Sequence, residues 1–364
     1  MNTMSGSMRP RRTGVALAGL LALGLSATPA TAGSDTTIKS AGTRTTRTAT
    51  ETDGGINPTN VAIVETDLTA ARCVTLPPEQ QMHAVEANAY ATGAGVTVAV
   101  LDGGFNLSHP DLLGHIASGG RDMLDNDKNP NDLGNGIDDD QDGVVDRCVG
   151  HGTFISGMVL KVAPGAKILP VRVRNDEGHG SDRSVADGIA YAISMKAKVI
   201  NLSLEIEDVR RVDVRCQLNN ALRQGVSVVV SAGNDALNEL TSLADVSGGI
   251  AVGAVDPADR LAAFSNFVDA PPSSLAARFV LAPGVDLFGP IGSPTADARG
   301  IWSGTSFSSG LVSGAVAVVR QARPSLWPTQ VADLLVRTCD PATDRFGAPL
   351  SYAGRVNVLR AVTE

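Results

Sequence analysis

Short apolar runs that end on polar residues recur along this chain, separated by helix-forming segments, and this alternation constrains the fold more than any other feature. The run Val96–Leu101 stops at Asp102, and further runs follow at Lys167–Val173, Lys198–Leu204 and Val226–Val230. Between them, Thr153–Val162 (stopped by Pro164-Gly165), Val185–Lys196 and Val212–Gln224 can form helices, the second capped by Ser181 or Asp182. Runs this continuously apolar belong to strands covered on both faces. The pattern predicts an α/β fold, a doubly wound, mainly parallel sheet with helices on both faces. In such sheets functional side chains gather beyond the carboxyl ends of strands, where Asp102 and Asn234 fall.

The N-terminal part reads differently. Arg9, Arg11 and Arg12 precede an apolar run from Val15 to Leu25, and Ala30-Thr31-Ala32 supplies a small-residue cleavage site. The run is too short to cross a bilayer, so residues 1–32 are expected to be an export signal and the protein to be secreted, without stable membrane insertion. Residues 33–78 are expected to be a Thr-rich linker or processed leader; residues 33–53 hold eight threonines. The remaining domain spans 79–364 and is expected to act as a monomer. The net charge of -8, with only 4% aromatic residues, excludes a phosphate-binding or base-stacking role in nucleic-acid recognition. Cys73, Cys148, Cys216 and Cys339 lie far apart without the spacing of a zinc site. In an exported chain one or two disulfides are expected, in any of three pairings.

Three segments carry chemistry. Ser306, in Gly304-Thr-Ser-Phe-Ser-Ser-Gly310, opens an apolar helix, where free backbone N–H groups and the helix dipole would favour an oxyanion. Taken alone, it is equally a helix cap. His151 stands between Gly150 and Gly152 at another helix start, but His83, His109, His115 and His179 are also present and spacing does not choose among the five. Asp102 could orient an imidazole or simply form a turn before Gly103-Gly104.

Together these segments resemble the subtilisin-like peptidase family. Val98-Ala-Val-Leu-Asp102-Gly-Gly with His109-Pro-Asp-Leu resembles its aspartate motif, Gly150-His151-Gly-Thr-Phe-Ile-Ser-Gly157 its histidine motif, and Gly304-Thr-Ser306 with Val312-Ser-Gly314 its serine motif. The order Asp, His, Ser, with separations of 49 and 155 residues, is the family's order. The resemblance implies a triad of Asp102, His151 and Ser306 and leaves His109 in a structural turn. It implies that Asn234, in Ser231-Ala-Gly-Asn234, donates to the oxyanion beside the Ser306 amide, and that Ser203, Leu204 and Gly233 border the substrate cleft. The implied activity is hydrolysis of a polypeptide substrate without a catalytic cofactor. The chain departs from the family at Phe307, Ser308, Gly310 and Leu311 in the serine motif, and at Phe154, where the family has a second histidine. No familiar inhibitory prodomain is recognisable between residues 33 and 78.

Residues 122–146 hold nine aspartates. Asp138, Asp140 and Asp142, followed by Gly143, have the spacing of a calcium loop, with Asp146 as a further ligand, although position twelve is Val149 rather than Glu. A structural Ca²⁺ or a solvated acidic loop both fit. Two other functions fit the chain as a whole: an inactive, calcium-dependent secreted binding protein on a peptidase scaffold, or an esterase.

Overall fold

A computed structural model describes residues 76–364 apart from 133, 142, 207–211, 242, 245–247, 269–277 and 293–296. The export segment, the Thr-rich stretch to residue 75, Cys73 and Asp142 therefore lie outside the described residues. Two helical turns, α1 (Pro78–Gln81) and α2 (Ala84–Ala87), lead into β1 (Thr97–Asp102). Then come β2 (Arg121–Asp122), α3 (His151–Val162), β3 (Lys167–Arg172), α4 (Asp182–Ser194), β4 (Val199–Leu202), α5 (Val212–Arg223) and β5 (Ser227–Ser231). The C-terminal part adds β6 (Ile250–Val255), β7 (Arg278–Pro283), β8 (Leu287–Pro290), β9 (Arg299–Trp302), α6 (Thr305–Ala322), α7 (Pro328–Arg337), β10 (Asp340–Thr343), β11 (Pro349–Arg355) and α8 (Val358–Thr363).

The main sheet has nine strands in the order β10-β11-β7-β6-β5-β4-β1-β3-β2, with β8 and β9 forming a separate antiparallel pair. Within the main sheet β10–β11 is antiparallel and the other neighbouring pairs are parallel. This is the doubly wound α/β architecture expected from the alternation. The sequence pattern did not reveal β6 and β7, although both are buried along nearly their whole length. The start of α4 is settled in favour of Ser181: its Oγ accepts from the Ser184 N–H and the Ser184 Oγ accepts from the Ser181 N–H, each at 3.0 Å. A reciprocal cap of this kind is worth about 1 kcal/mol.

β1 is paired on both sides, placing Asp102 opposite Arg172 of β3 and Leu101 opposite Leu202 of β4. Its side chains alternate between two cores. Val98 and Val100 pack with α3 and α6, while Ala99 and Leu101 pack with α4 and α5. Each fully buried Val or Leu contributes about 1.5–3 kcal/mol, so a one-residue slip of β1 would forfeit several such contributions at once.

Helices α3 and α6 meet through glycines. A Cβ on Gly314 would lie 2.6 Å from the Val159 carbonyl oxygen and 2.8 Å from Val162 Cβ, and one on Gly310 would lie 3.2 Å from the Ile155 oxygen. The two contacts advance together along both chains, so the helices run parallel with their N-termini side by side. Those N-termini carry His151 and Ser306.

Candidate active site

Asp102 closes β1 at its carboxyl end and is fully buried. Its Oδ1 accepts from the Gly103 N–H at 2.7 Å and from Arg174 Nη2 at 3.0 Å, and faces His151 Nδ1 at 2.9 Å; Oδ2 faces the same nitrogen at 3.0 Å. Burial by itself would push the carboxyl up. The Arg174 charge and then His151 override it and hold the group at about 2, so Asp102 is a carboxylate across the physiological range. Between two carboxylate oxygens, Nδ1 of His151 carries the proton and Nε2 keeps its lone pair, the tautomer that a general base requires.

The glycines around His151 are there for close approach. Gly150 has φ +90° and a Cβ on it would lie 2.6 Å from the Gly292 nitrogen; one on Gly152 would lie 2.4 Å from the Gly104 oxygen. The imidazole is 3% exposed, and its Nε2 has no partner among the described residues.

Ser306 is the second residue of α6 and is half-buried. Neither its hydroxyl nor its backbone N–H has a hydrogen-bond partner among the described residues, whereas its carbonyl accepts from Ser203 Oγ at 3.0 Å and Ser309 Oγ at 2.8 Å. The next ring, Phe307, has its centroid 5.3 Å from that of His151, which brings the start of α6 against the base. Asn234 is tied to the same turn: its Oδ1 accepts from the Thr305 N–H at 2.9 Å and Thr305 Oγ1 at 3.0 Å. With Oδ1 so committed, the orientation of the amide is fixed and Nδ2 is left free to donate. Two N–H donors without partners among the described residues, those of Ser306 and Asn234, thus stand at one helix N-terminus, as an oxyanion site requires.

Ser203 is buried. Its Oγ bonds to Asn201 Oδ1 at 3.0 Å and to Ser309 Oγ at 2.7 Å as well as to the Ser306 carbonyl, so its side chain supports the nucleophile turn. Leu204 is also buried. Gly233 has φ +109°, and a Cβ on it would lie 2.3 Å from Asn266 Nδ2, so only glycine fits beside Asn234. His109, in contrast, is buried away from this chemistry, with Nε2 at 3.0 Å from the Ala298 carbonyl and Nδ1 accepting from the Asp111 N–H.

Phe154 and Phe307, which read as separate departures from the family pattern, are in contact. Their ring centroids lie 4.6 Å apart, and Phe154 stacks on Trp302 at 5.1 Å. An apolar aromatic wall thus backs the imidazole.

Two side chains beside Asp102 carry no motif that would place them at the site. Arg174 follows β3 and is 7% exposed; a charged residue just past an apolar strand reads as a surface residue, and only the partner strand shows otherwise. Cys148 is buried, and burial pushes its thiol up to about 12, so it is a neutral packing group and not a rival nucleophile. Among the described residues Cys148, Cys216 and Cys339 form no disulfide with one another.

In the acidic loop, Asp138 Oδ2 accepts from the Gly143 N–H, Asp140 faces His179 at 3.1 Å, and the Asp146 carboxylate accepts from the Asn135 and Gly136 N–H groups. Among the described residues the Asp138, Asp140 and Asp146 oxygens do not converge to the spacing of shared metal ligands. The described carboxylates of Asp138 and Asp146 are bonded to amides of the loop itself. Among the described residues no helix is long and apolar enough to cross a membrane.

The subtilase family matches residues 93–354. A thermophilic serine proteinase of Bacillus sp. (strain AK1) is 36% identical over 284 residues, covering 74% of this chain and 62% of that protein. Thermitase from Thermoactinomyces vulgaris is 32% identical over 288 residues, covering 78% of this chain and 94% of thermitase. The chain thus spans about three fifths of the first relative and nearly all of the second. Among solved structures, a protease from Pseudoalteromonas arctica PAMC 21717 superposes with a TM-score of 0.66 at 28% identity, over 77% of this chain and 93% of that one. With the family match extending over every segment of the site, from β1 to α6, the chain belongs to the subtilase family of serine peptidases.

Proposed function

We propose that this chain is a secreted serine endopeptidase that hydrolyses peptide bonds through Ser306, His151 and Asp102. The observation that carries the reading is a matched set of groups without partners among the described residues: His151 Nε2, Ser306 Oγ, the Ser306 N–H and Asn234 Nδ2, beside a fully paired Asp102. In a folded interior polar groups find partners, and a cluster of free ones in catalytic order is a site awaiting substrate. Ser306 Oγ attacks the scissile carbonyl carbon as His151 Nε2 takes its proton, and Asp102 stabilises the imidazolium through Nδ1–H. The Ser306 N–H and Asn234 Nδ2 donate to the oxyanion. Collapse passes the proton to the leaving amine and leaves an acyl-enzyme, which water resolves by the same steps. Export is supported by the signal-like pattern of residues 1–32, whose removal leaves a more acidic chain.

The test is labelling of the purified protein by a fluorophosphonate probe, with the adduct mapped to Ser306, alongside cleavage of an unstructured protein. Specific peptide binding with neither labelling nor cleavage would sink this reading in favour of an inactive binding protein. Preference for ester over peptide substrates would favour an esterase.

Asn234→Ala is expected to lower kcat by about 10²–10³-fold with little change in KM, the loss known for the oxyanion asparagine of subtilisin and carried over here. Asn234→Asp distinguishes the causes. It keeps an acceptor for Thr305 but loses the donor, so steady-state kinetics should find it no better than Ala. Recovery of activity in the Asp variant would mean that anchoring Thr305 is what matters.

A further inference from the structure

Arg174 places a guanidinium inside the catalytic centre. Its Nη2 donates to Asp102 Oδ1 at 3.0 Å and to the Ser203 carbonyl at 3.3 Å, and lies 3.0 Å from His151 Nδ1. Three N–H groups, those of Gly103, His151 and the permanently charged Arg174, therefore converge on a single carboxylate oxygen. Arg174 Nε is buried with no partner among the described residues. Burying a guanidinium is costly, and although the paired Asp102 offsets the charge, the unpartnered Nε–H remains a penalty. The fold thus keeps a cation here at some expense to stability. A neutral imidazole tolerates that neighbour. An imidazolium would put a second positive charge against it.

We propose that Arg174 is a positioning residue that shares Asp102 Oδ1 with His151 and, by its fixed charge, restrains the imidazole from protonation by solvent in the resting enzyme. This rests on the reading of Ser306, His151 and Asp102 as the triad. Asp102 supplies the attraction that makes His151 a base, and the Arg174 charge, 3.0 Å from both Asp102 Oδ1 and His151 Nδ1, opposes it. The other titratable groups around the pair do not supply this charge. Cys148, before α3, is a neutral thiol. Asp132, in the acidic insertion, accepts from the Gly150 N–H and is pushed up to about 7, chiefly by burial, so it is neutral in the acid range. Arg172 of β3 is paired with Asp122 at 2.7 Å, Asp176 in the loop after β3 carries a carboxyl, whose charge would act in the opposite direction, and α6 brings Ser306 and Phe307, neither of them titratable.

The experiment is the pH profile of kcat/KM, normalised to active sites by fluorophosphonate titration, for the wild type, Arg174→Met and Arg174→Lys. Removing the charge is expected to move the acid limb of the Met variant up by about one pH unit. One unit below the wild-type midpoint, its kcat/KM then falls about tenfold relative to the wild type. The Lys variant keeps a cation and should hold the limb near the wild-type position. Arg174→Gln, neutral but still a donor, carries the same test if the Met variant fails to fold, and is expected to move with Met. A limb that stays in place in the neutral variants, or moves equally in Lys, overturns the proposal, since a merely structural role lowers the count of active sites without moving a midpoint. A wild type that neither labels nor cleaves would remove the triad reading itself, an outcome distinct from an active enzyme with an unmoved limb.

Discussion

Ser306→Ala is expected to lower kcat/KM by about 10⁶-fold and to abolish fluorophosphonate labelling, the size of loss that removal of the nucleophile causes in subtilisin and carried over here. The argument for a clean result is local. The Ser306 hydroxyl has no hydrogen-bond partner among the described residues, and the turn is held instead by the Ser306 carbonyl, Ser203, Ser309 and the Thr305–Asn234 pair. Deleting the oxygen removes no interior contact, so the thermal midpoint should stay within about a degree of the wild type and substrate should still bind. The residual rate should still exceed the uncatalysed one by about 10³–10⁴, because Asn234 and the residue-306 amide remain. Side-by-side kinetics and calorimetry check both halves. Substantial activity in a folded Ala variant would place the nucleophile elsewhere.

Asp102→Asn should cost about 10⁴-fold in kcat/KM, the loss known for the corresponding change in a serine protease. Here the surroundings dictate which way the amide faces. Gly103 N–H and Arg174 Nη2 both donate to Oδ1 and need an acceptor there, so the NH₂ of an asparagine turns toward His151. Nδ1 must then accept, the imidazole proton moves to Nε2, and the base is in the wrong tautomer. The same change alters acid stability. The folded pKa of about 2 lies below the usual carboxylate value, so this group stabilises the fold above about pH 4 and that contribution is lost as pH falls through 2. The wild type should lose about 2 kcal/mol from this group over that range. The asparagine variant should lack that component, which denaturant titrations at pH 6 and pH 2.5 would show as a smaller difference between the two.

Much of this architecture is written in local pattern. Apolar runs ending at Asp102 and Val173, and the Gly-rich starts of α3 and α6, locate the strands and helices because each is decided by neighbouring residues. β6 and β7 escaped because Ile250–Val255 and Arg278–Pro283 are short buried runs without flanking helices of clear period, and such segments do not declare their type. Arg174 escaped for a different reason: its burial is created by Asp102 and Ser203, which arrive from other strands. Likewise Phe154 and Phe307 are each an oddity in their own motif, and only the packing of α3 on α6 makes them one wall behind His151.

That packing has a consequence for how the molecule fails. The base and the nucleophile ride on two parallel helices whose backbones touch at Gly310 and Gly314, with no hinge or loop setting the distance between them. Most enzymes place their active groups on yielding parts that loosen before the whole does. In this chain the reactive pair sits on two closely packed core helices, so activity and native structure should disappear over one temperature interval. Turnover is then a direct gauge of how many molecules remain folded.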